Sequence, residues 1–205
     1  MRIIICFFFF LSSLSCFAQG DHSHEHINKV IGVSDLLADF EIRIYKSYNI
    51  TNCTEVFRMY RVNKDVWRGM FYEYYSAAPH ANVKEHFTER ELQASGDLDI
   101  AWYKMLAQDI LYLPQQEAIR HKLSKKYVEC DPLDKRYDGY GLAVQTVAIC
   151  DGTSFDIFIR QEDKQNNISY DNPESYLKRY PDVDELISIH ELLEIIRENF
   201  GVWKQ

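Results

Sequence analysis

Hydrophobic and polar residues alternate beyond residue 38, which is the period of a β-strand with one buried face. The first such segment reads Phe40, Glu41, Ile42, Arg43 and Ile44. Two more segments, 56–62 and 67–75, are rich in β-branched and aromatic residues and are separated by a turn. We therefore predict an antiparallel meander of three strands over about residues 39–75.

Later segments change to a helical spacing, in which apolar residues recur every three or four positions. A short helix is predicted within 83–93, and two more helices lie on either side of Leu113-Pro114. A final helix ends at Gly201 and follows a short helix that begins at Asn172-Pro173. Its apolar stripe consists of Leu186, Ile189, Leu193, Ile196 and Phe200.

Two strands are predicted before these last helices, over 142–150 and 155–160, with Asp151-Gly152 as a tight turn between them. The main elements then follow the order βββ–αα–ββ–α. This order predicts an α+β fold in which an antiparallel sheet of about five strands has helices packed on one face. Residues 34–205 are predicted to form a single α+β domain.

The N-terminus carries the three parts of a secretory signal peptide over residues 1–18. Arg2 is followed by an apolar run through Leu11, and small residues at Cys16 and Ala18 define a cleavage site after Ala18. The apolar run is too short to span a membrane, which takes about 20 residues. We therefore expect an exported soluble protein of a bacterial envelope, located in the periplasm or outside the cell, with no membrane span.

The net charge of the chain indicates which classes of partner it can attract. The chain has 23 Lys and Arg against 31 Asp and Glu, a net charge of −8. An acidic protein repels phosphate backbones, so nucleic acid is not expected as a partner. The same field would attract a basic protein.

Residues 19–33 are polar and histidine-rich, and we expect them to form a flexible leader. His22, His24 and His26 alternate with polar and acidic residues, and such imidazoles are ligands of Zn, Cu or Ni. A mobile segment would bind such a metal loosely, because ordering it costs entropy. A solvated leader without a role is the alternative interpretation.

Tyrosines and cysteines supply two further hypotheses. Alternation places Tyr72 and Tyr74 on one sheet face, which would be a tyrosine-lined interaction surface if helices cover only the opposite face.

Three cysteines remain after export and allow three single pairings. We favour a disulfide between Cys130 and Cys150, while three free thiols remain the alternative.

Motifs for catalysis are weak throughout the chain. His190 is followed by Glu191, but Glu194 stands where a zinc protease helix needs its second histidine. His80 and His86 lie near acidic residues without a diagnostic spacing.

The sequence therefore favours a binding protein that engages another protein, for example an immunity or inhibitor-type protein of the envelope. An envelope metal-binding protein and a hydrolase with an unrecognised site are the alternatives.

Overall fold

The computed structural model describes residues 23–48, 50–63, 66–78, 83–130, 140–149 and 152–204. The signal peptide, His22, His80 and Cys150 lie outside these ranges. The helices are α1 (His24–Ile31), α2 (Leu98–Leu106), α3 (Pro173–Arg179) and α4 (Asp184–Phe200), with a 3-10 helix at Gln116–Ile119. The strands are β1 (Phe40–Tyr48), β2 (Cys53–Asn63), β3 (Val66–Tyr75), β4 (His86–Leu92), β5 (Ser124–Cys130), β6 (Tyr140–Thr146), β7 (Thr153–Gln161) and β8 (Lys164–Asp171).

Six strands form one antiparallel sheet in the order β4-β3-β2-β1-β7-β8, and β5 pairs with β6 in a separate hairpin. The α+β class and the meander of β1, β2 and β3 are therefore confirmed. The main sheet has six strands where about five were predicted. The main sheet gains β4 and β8, which lie at its two edges and carry polar residues at most positions, and it lacks the predicted strand at 142–150, which forms β6 of the hairpin.

The larger core lies between the sheet and helices α2 and α4. Alternate residues of the strands face it, such as Ile42 and Ile44 of β1 and Phe57 of β2. The predicted stripe of α4 is buried against them, from Leu186 to Phe200. Gly201 then ends the helix in the left-handed conformation, with φ of 66°, as the sequence predicted.

Helix α1 covers the opposite face of the sheet. Ser23 accepts a hydrogen bond from the backbone N–H of His26, and Gly32 ends the helix with φ of 72°. Ile27 and Ile31, one turn apart, are buried against tyrosines of β1 and β3. The prediction of a flexible leader over 19–33 is therefore wrong for its described part, and the helices cover both faces of the sheet.

The chain between α2 and β7 also differs from the prediction. Ile119 and Leu123 are buried as the helical stripe required, but the chain forms only a short 3-10 helix there and then turns into β5. The expected pairing across Asp151-Gly152 is wrong, because β6 pairs with β5 while β7 pairs with β1 and β8. Likewise, the helix predicted within 83–93 is strand β4.

Close packing explains why a glycine stands before β7. A Cβ on Gly152 would come within 1.5 Å of the Oδ1 atom of Asn172. That oxygen instead accepts a hydrogen bond of 2.9 Å from the backbone N–H of Thr153.

None of the described helices is long and apolar enough to cross a membrane.

Candidate functional site

The hairpin β5–β6 exposes an apolar face to solvent. Val128 pairs with Leu142, and their neighbouring pairs on the same face are Lys126 with Val144 and Cys130 with Tyr140. Leu142 is 78% exposed and Val128 is 67% exposed. Two-stranded ribbons are marginally stable in water by themselves, and exposed apolar patches mark sites of interaction.

The base of the hairpin is attached to the body, while within the described ranges its strands pair only with each other. Leu123, directly before β5, is buried. Beyond β6, the backbone carbonyl of Val147 accepts a hydrogen bond of 3.1 Å from the Tyr176 hydroxyl. The hairpin therefore extends from a fixed base and presents both of its strand edges and its apolar face.

A second feature is a cleft of about 410 Å³ beside the last residues of the chain, which we call the C-terminal cleft. Val202 is buried, and the tail turns sharply at Trp203, whose φ is 55°. The Trp203 ring packs edge-on against Phe57 and Phe155, and its carbonyl accepts a hydrogen bond from Arg197 Nε. The tail thus closes one end of the large core and forms a wall of the cleft.

The opposite wall contains Lys46, Glu55 and Glu73, which belong to a row of polar side chains that crosses four strands. Lys46, Glu55, Glu73 and Thr88 are direct neighbours on β1 to β4. Like charges opposite each other on a sheet repel, so the two glutamates need partners. Lys46 Nζ lies 3.6 Å from Glu55, and Thr88 donates to Glu73 at 2.9 Å.

Burial shifts the pKa of two groups in this row. Desolvation lowers the pKa of Lys46, although Glu55 opposes the shift. Desolvation and a hydrogen bond to Glu55 raise the pKa of Tyr48. The Lys46 ammonium also lies 5.6 Å from the centre of the Trp203 ring and 4.8 Å from that of Tyr48.

The two predicted interaction tyrosines are buried, so the surface expected at Tyr72 and Tyr74 is not available. Their relative exposures are 4% and 1%, because α1 packs over them. The Tyr74 hydroxyl donates to Glu85 at 2.5 Å. Desolvation and that carboxylate raise the pKa of Tyr74. The prediction that both lie on one face is correct, but that face is covered.

Beneath the same helix lies a buried ion-pair network centred on Glu41. Its carboxylate accepts from Arg43 at 2.6 Å and from Arg58 at 2.8 Å. Burial opposes ionisation, but these two guanidinium groups keep the pKa of Glu41 below its usual range. The Tyr45 hydroxyl donates to Asn28 of α1 at 2.5 Å, so the helix is joined to the network by a side-chain bond.

The predicted metal ligands do not gather into one site among the described residues. His24 Nε2 lies 3.2 Å from the Asp156 carboxylate, and its ring packs at a tilt against the Tyr45 ring, with the ring centres 4.3 Å apart. His26 Nε2 lies 2.6 Å from Glu85. Each histidine therefore contacts a different carboxylate, and these contacts hold α1 on the sheet; His22 lies outside the described residues.

Of the three cysteines that remain after the predicted cleavage, the structure describes Cys53 and Cys130. Cys130 is exposed at the end of β5 and is bonded to no other described cysteine; Cys150 lies outside the described residues, so their pairing stays a prediction. Cys53 is half-buried next to Tyr75. Burial raises the pKa of its thiol, and Glu55 and Glu73 act in the same direction. This environment disfavours a thiolate nucleophile.

One group of side chains in the described ranges has the composition of a cation site: Glu174, His190 and Glu194, whose potential ligand atoms lie within 4.8 Å of one another. Arg197 Nη1 already lies 2.6 Å from each of the two carboxylates. A metal ion would have to approach beside this buried guanidinium. The arrangement instead ties α3 to α4, and His190 is at the edge of the core, as the sequence indicated.

No protein-family model, curated protein or solved structure matches the chain. Interpretation of the site therefore depends on geometry alone. Within the described ranges, the hydrogen bonds join no nucleophile to a histidine base. The two features that remain are the exposed hairpin and the C-terminal cleft, and both suit binding.

Sequence reasoning missed both features. The hairpin residues were assigned to a helix and to a strand of the main sheet, although Val128, Leu142 and Val144 had the composition of strands. The cleft joins residues far apart in sequence, such as Lys46 and Trp203, so no local pattern marks it. One signal was present: Trp203 follows the helix stop at Gly201, where a large aromatic residue predicts a tail that packs back onto the core.

Proposed function

We propose that this protein is an exported binding protein that engages another protein through the β5–β6 hairpin. The observation that carries the proposal is the exposed apolar face centred on Val128 and Leu142. Folding of the chain leaves this face in water, and a partner would bury it. The proposed export depends on the signal peptide predicted over residues 1–18.

The mode of binding follows from the shape of the hairpin. Neither strand pairs along its outer edge within the part of the chain that the structure describes, so a partner strand can extend the ribbon by main-chain hydrogen bonds. Its side chains would meet Val128, Leu142 and Val144 on the apolar face. The net charge of −8 would increase the rate of encounter with a basic partner and make that rate sensitive to salt.

A specific form of this function is an immunity or inhibitor-type protein, which would use the hairpin to occupy a toxin or hydrolase of the cell envelope. Small size, proposed export and the lack of a nucleophile–base pair among the described residues support this form. A protruding hairpin can enter a partner's site, and the attachment at Leu123 and Val147 holds its base in place.

The test compares two exposed apolar residues of the full chain. Leu142→Asp places a charge on the hairpin, and Ile100→Asp does the same on α2, where Ile100 is 57% exposed. Tagged versions are recovered from the envelope of the native host, and bound proteins are quantified by mass spectrometry. We expect Leu142→Asp to lose the partner by at least about tenfold, the effect of losing one interface anchor.

Ile100→Asp should retain the same partner at the wild-type amount. Equal recovery of every bound protein by the Leu142→Asp variant would contradict the proposal. A basic isoelectric point of the lost protein would support the charge argument as well.

A further inference from the structure

The C-terminal cleft contains hydrogen-bond donors without acceptors. Arg90 of β4 lies over the Phe71 ring, 4.8 Å from its centre, and makes no ion pair or hydrogen bond with any residue that the structure describes. Lys204 also lines the cleft and has no such partner within the described ranges. The Nε1–H of Trp203 is buried and lacks an acceptor there. A buried donor normally finds a partner, so the Trp203 N–H marks a missing acceptor, while the exposed Arg90 and Lys204 add two cations at the same cleft.

The carboxylates of the same cleft are already engaged. Glu55 accepts from the Tyr48 hydroxyl at 2.9 Å, and Glu174 contacts Arg197 at 2.6 Å. Glu73 accepts from Thr88. Four cations against three carboxylates line the cleft, and the two cations without a partner among the described residues are Arg90 and Lys204. A ligand that complements them must offer acceptor oxygens and negative charge.

The tail wall of the cleft, which carries Trp203 and Lys204, is held in place by the fold. A non-glycine residue with positive φ, as at Trp203, is uncommon and persists where its surroundings fix it. The hydrogen bond from Arg197 to the Trp203 carbonyl and the buried Val202 on its other side fix it here. A cleft of about 410 Å³ is within the range of small-molecule sites. The Trp203 donor is therefore held in place before a ligand arrives.

We propose that the C-terminal cleft binds a small anion through a carboxylate or phosphate group, with Arg90, Lys204 and the Trp203 indole as donors. Arg90 offers several parallel N–H groups, and its stacking on Phe71 limits its freedom before binding. This site is separate from the β5–β6 hairpin and does not depend on the proposed protein partner.

The experiment is calorimetric titration of the full chain with inorganic phosphate and, separately, with acetate at low ionic strength. Sodium chloride serves as the control for non-specific screening. We expect saturable binding of at least one probe with a dissociation constant of about 1 mM or tighter. Arg90→Gln and Lys204→Gln should each weaken it by about tenfold, as expected for the loss of a charged hydrogen bond.

Arg68→Gln is the matched control, because Arg68 is exposed on β3 and its carboxylate partner is Glu91, away from the cleft. Its binding should equal that of the wild type. Lys204 is an exposed tail residue, so its variant keeps the test valid if Arg90→Gln fails to fold. Binding of only one probe identifies the group as phosphate or carboxylate. Binding of neither, or unchanged binding in both cleft variants, would overturn the proposal.

Discussion

The six-stranded sheet and the β5–β6 hairpin are built from similar strands but lie in opposite surroundings. Ile44 of β1 is fully buried, whereas Leu142 of β6 is 78% exposed. The sheet is covered by helices on both faces, while the described part of the hairpin packs mainly on itself. Apolar residues in the sheet are explained by folding. Those of the hairpin are not, and this difference directs the search for function to the hairpin.

Within the sheet, the largest expected effect comes from breaking the ion-pair network under α1. Glu41→Gln removes the charge that compensates two guanidinium groups, those of Arg43 and Arg58. Breaking a buried ion pair by removing one partner is strongly destabilising. We expect the free energy of unfolding to fall by about 3–5 kcal/mol, measured by urea denaturation of the full chain.

Glu91→Gln is the control for this prediction, since Glu91 pairs with Arg68 at 3.7 Å on the surface, where ion pairs contribute about 0–1 kcal/mol. Acid pH gives a second readout. Because the pKa of Glu41 is lowered by folding, its stabilisation is complete above the unfolded pKa of about 4.3 and is lost as pH falls through the lowered value. The stability of Glu41→Gln should lack this part of the pH dependence. If Glu41→Gln and Glu91→Gln lost equal free energy of unfolding, the network would have no special role.

A smaller effect is expected where α1 meets the sheet. Asn28→Ala removes the acceptor of the buried Tyr45 hydroxyl and the donor to Asp35. A buried hydroxyl left without a partner costs about 1–3 kcal/mol, so the melting temperature of the full chain should fall accordingly. Its exposed neighbour gives the control, and Lys29→Ala should change stability by less than about 0.5 kcal/mol. Equal melting of both variants would show that α1 is not held by this contact.

The parts of the fold that the sequence predicts well are those with two clearly different sides. In β1, Ile42 and Ile44 face the large core and Arg43 faces α1, so the alternation is visible in sequence. The stripe of α4 is equally clear and ends at a glycine. Each of these patterns is local, and burial on one face gives it its period.

Helix α1 could have been found, because Ile27 and Ile31 are one turn apart between Ser23 and Gly32, which are good cap residues. The histidines suggested a solvated leader instead, although His24 and His26 each contact a carboxylate. Edge strands β4 and β8 were missed because they bury few apolar residues. Pairing partners are set by contacts distant in sequence, so β6 was assigned to the wrong strand and the C-terminal cleft was not foreseen.

The smallest expected effect tests the hairpin side of the comparison. Leu142→Ala should lower the free energy of unfolding by less than about 0.5 kcal/mol, because an exposed side chain loses little apolar contact. Leu192→Ala in α4 is the matched change at a fully buried leucine, and it should cost about 2–5 kcal/mol. Urea denaturation of both variants measures the difference. If Leu142→Ala were as damaging as Leu192→Ala, the leucine would be needed for folding, and its exposure would no longer indicate a partner. A near-neutral result would show that folding does not require an apolar residue at this position, which is what the proposed partner binding expects.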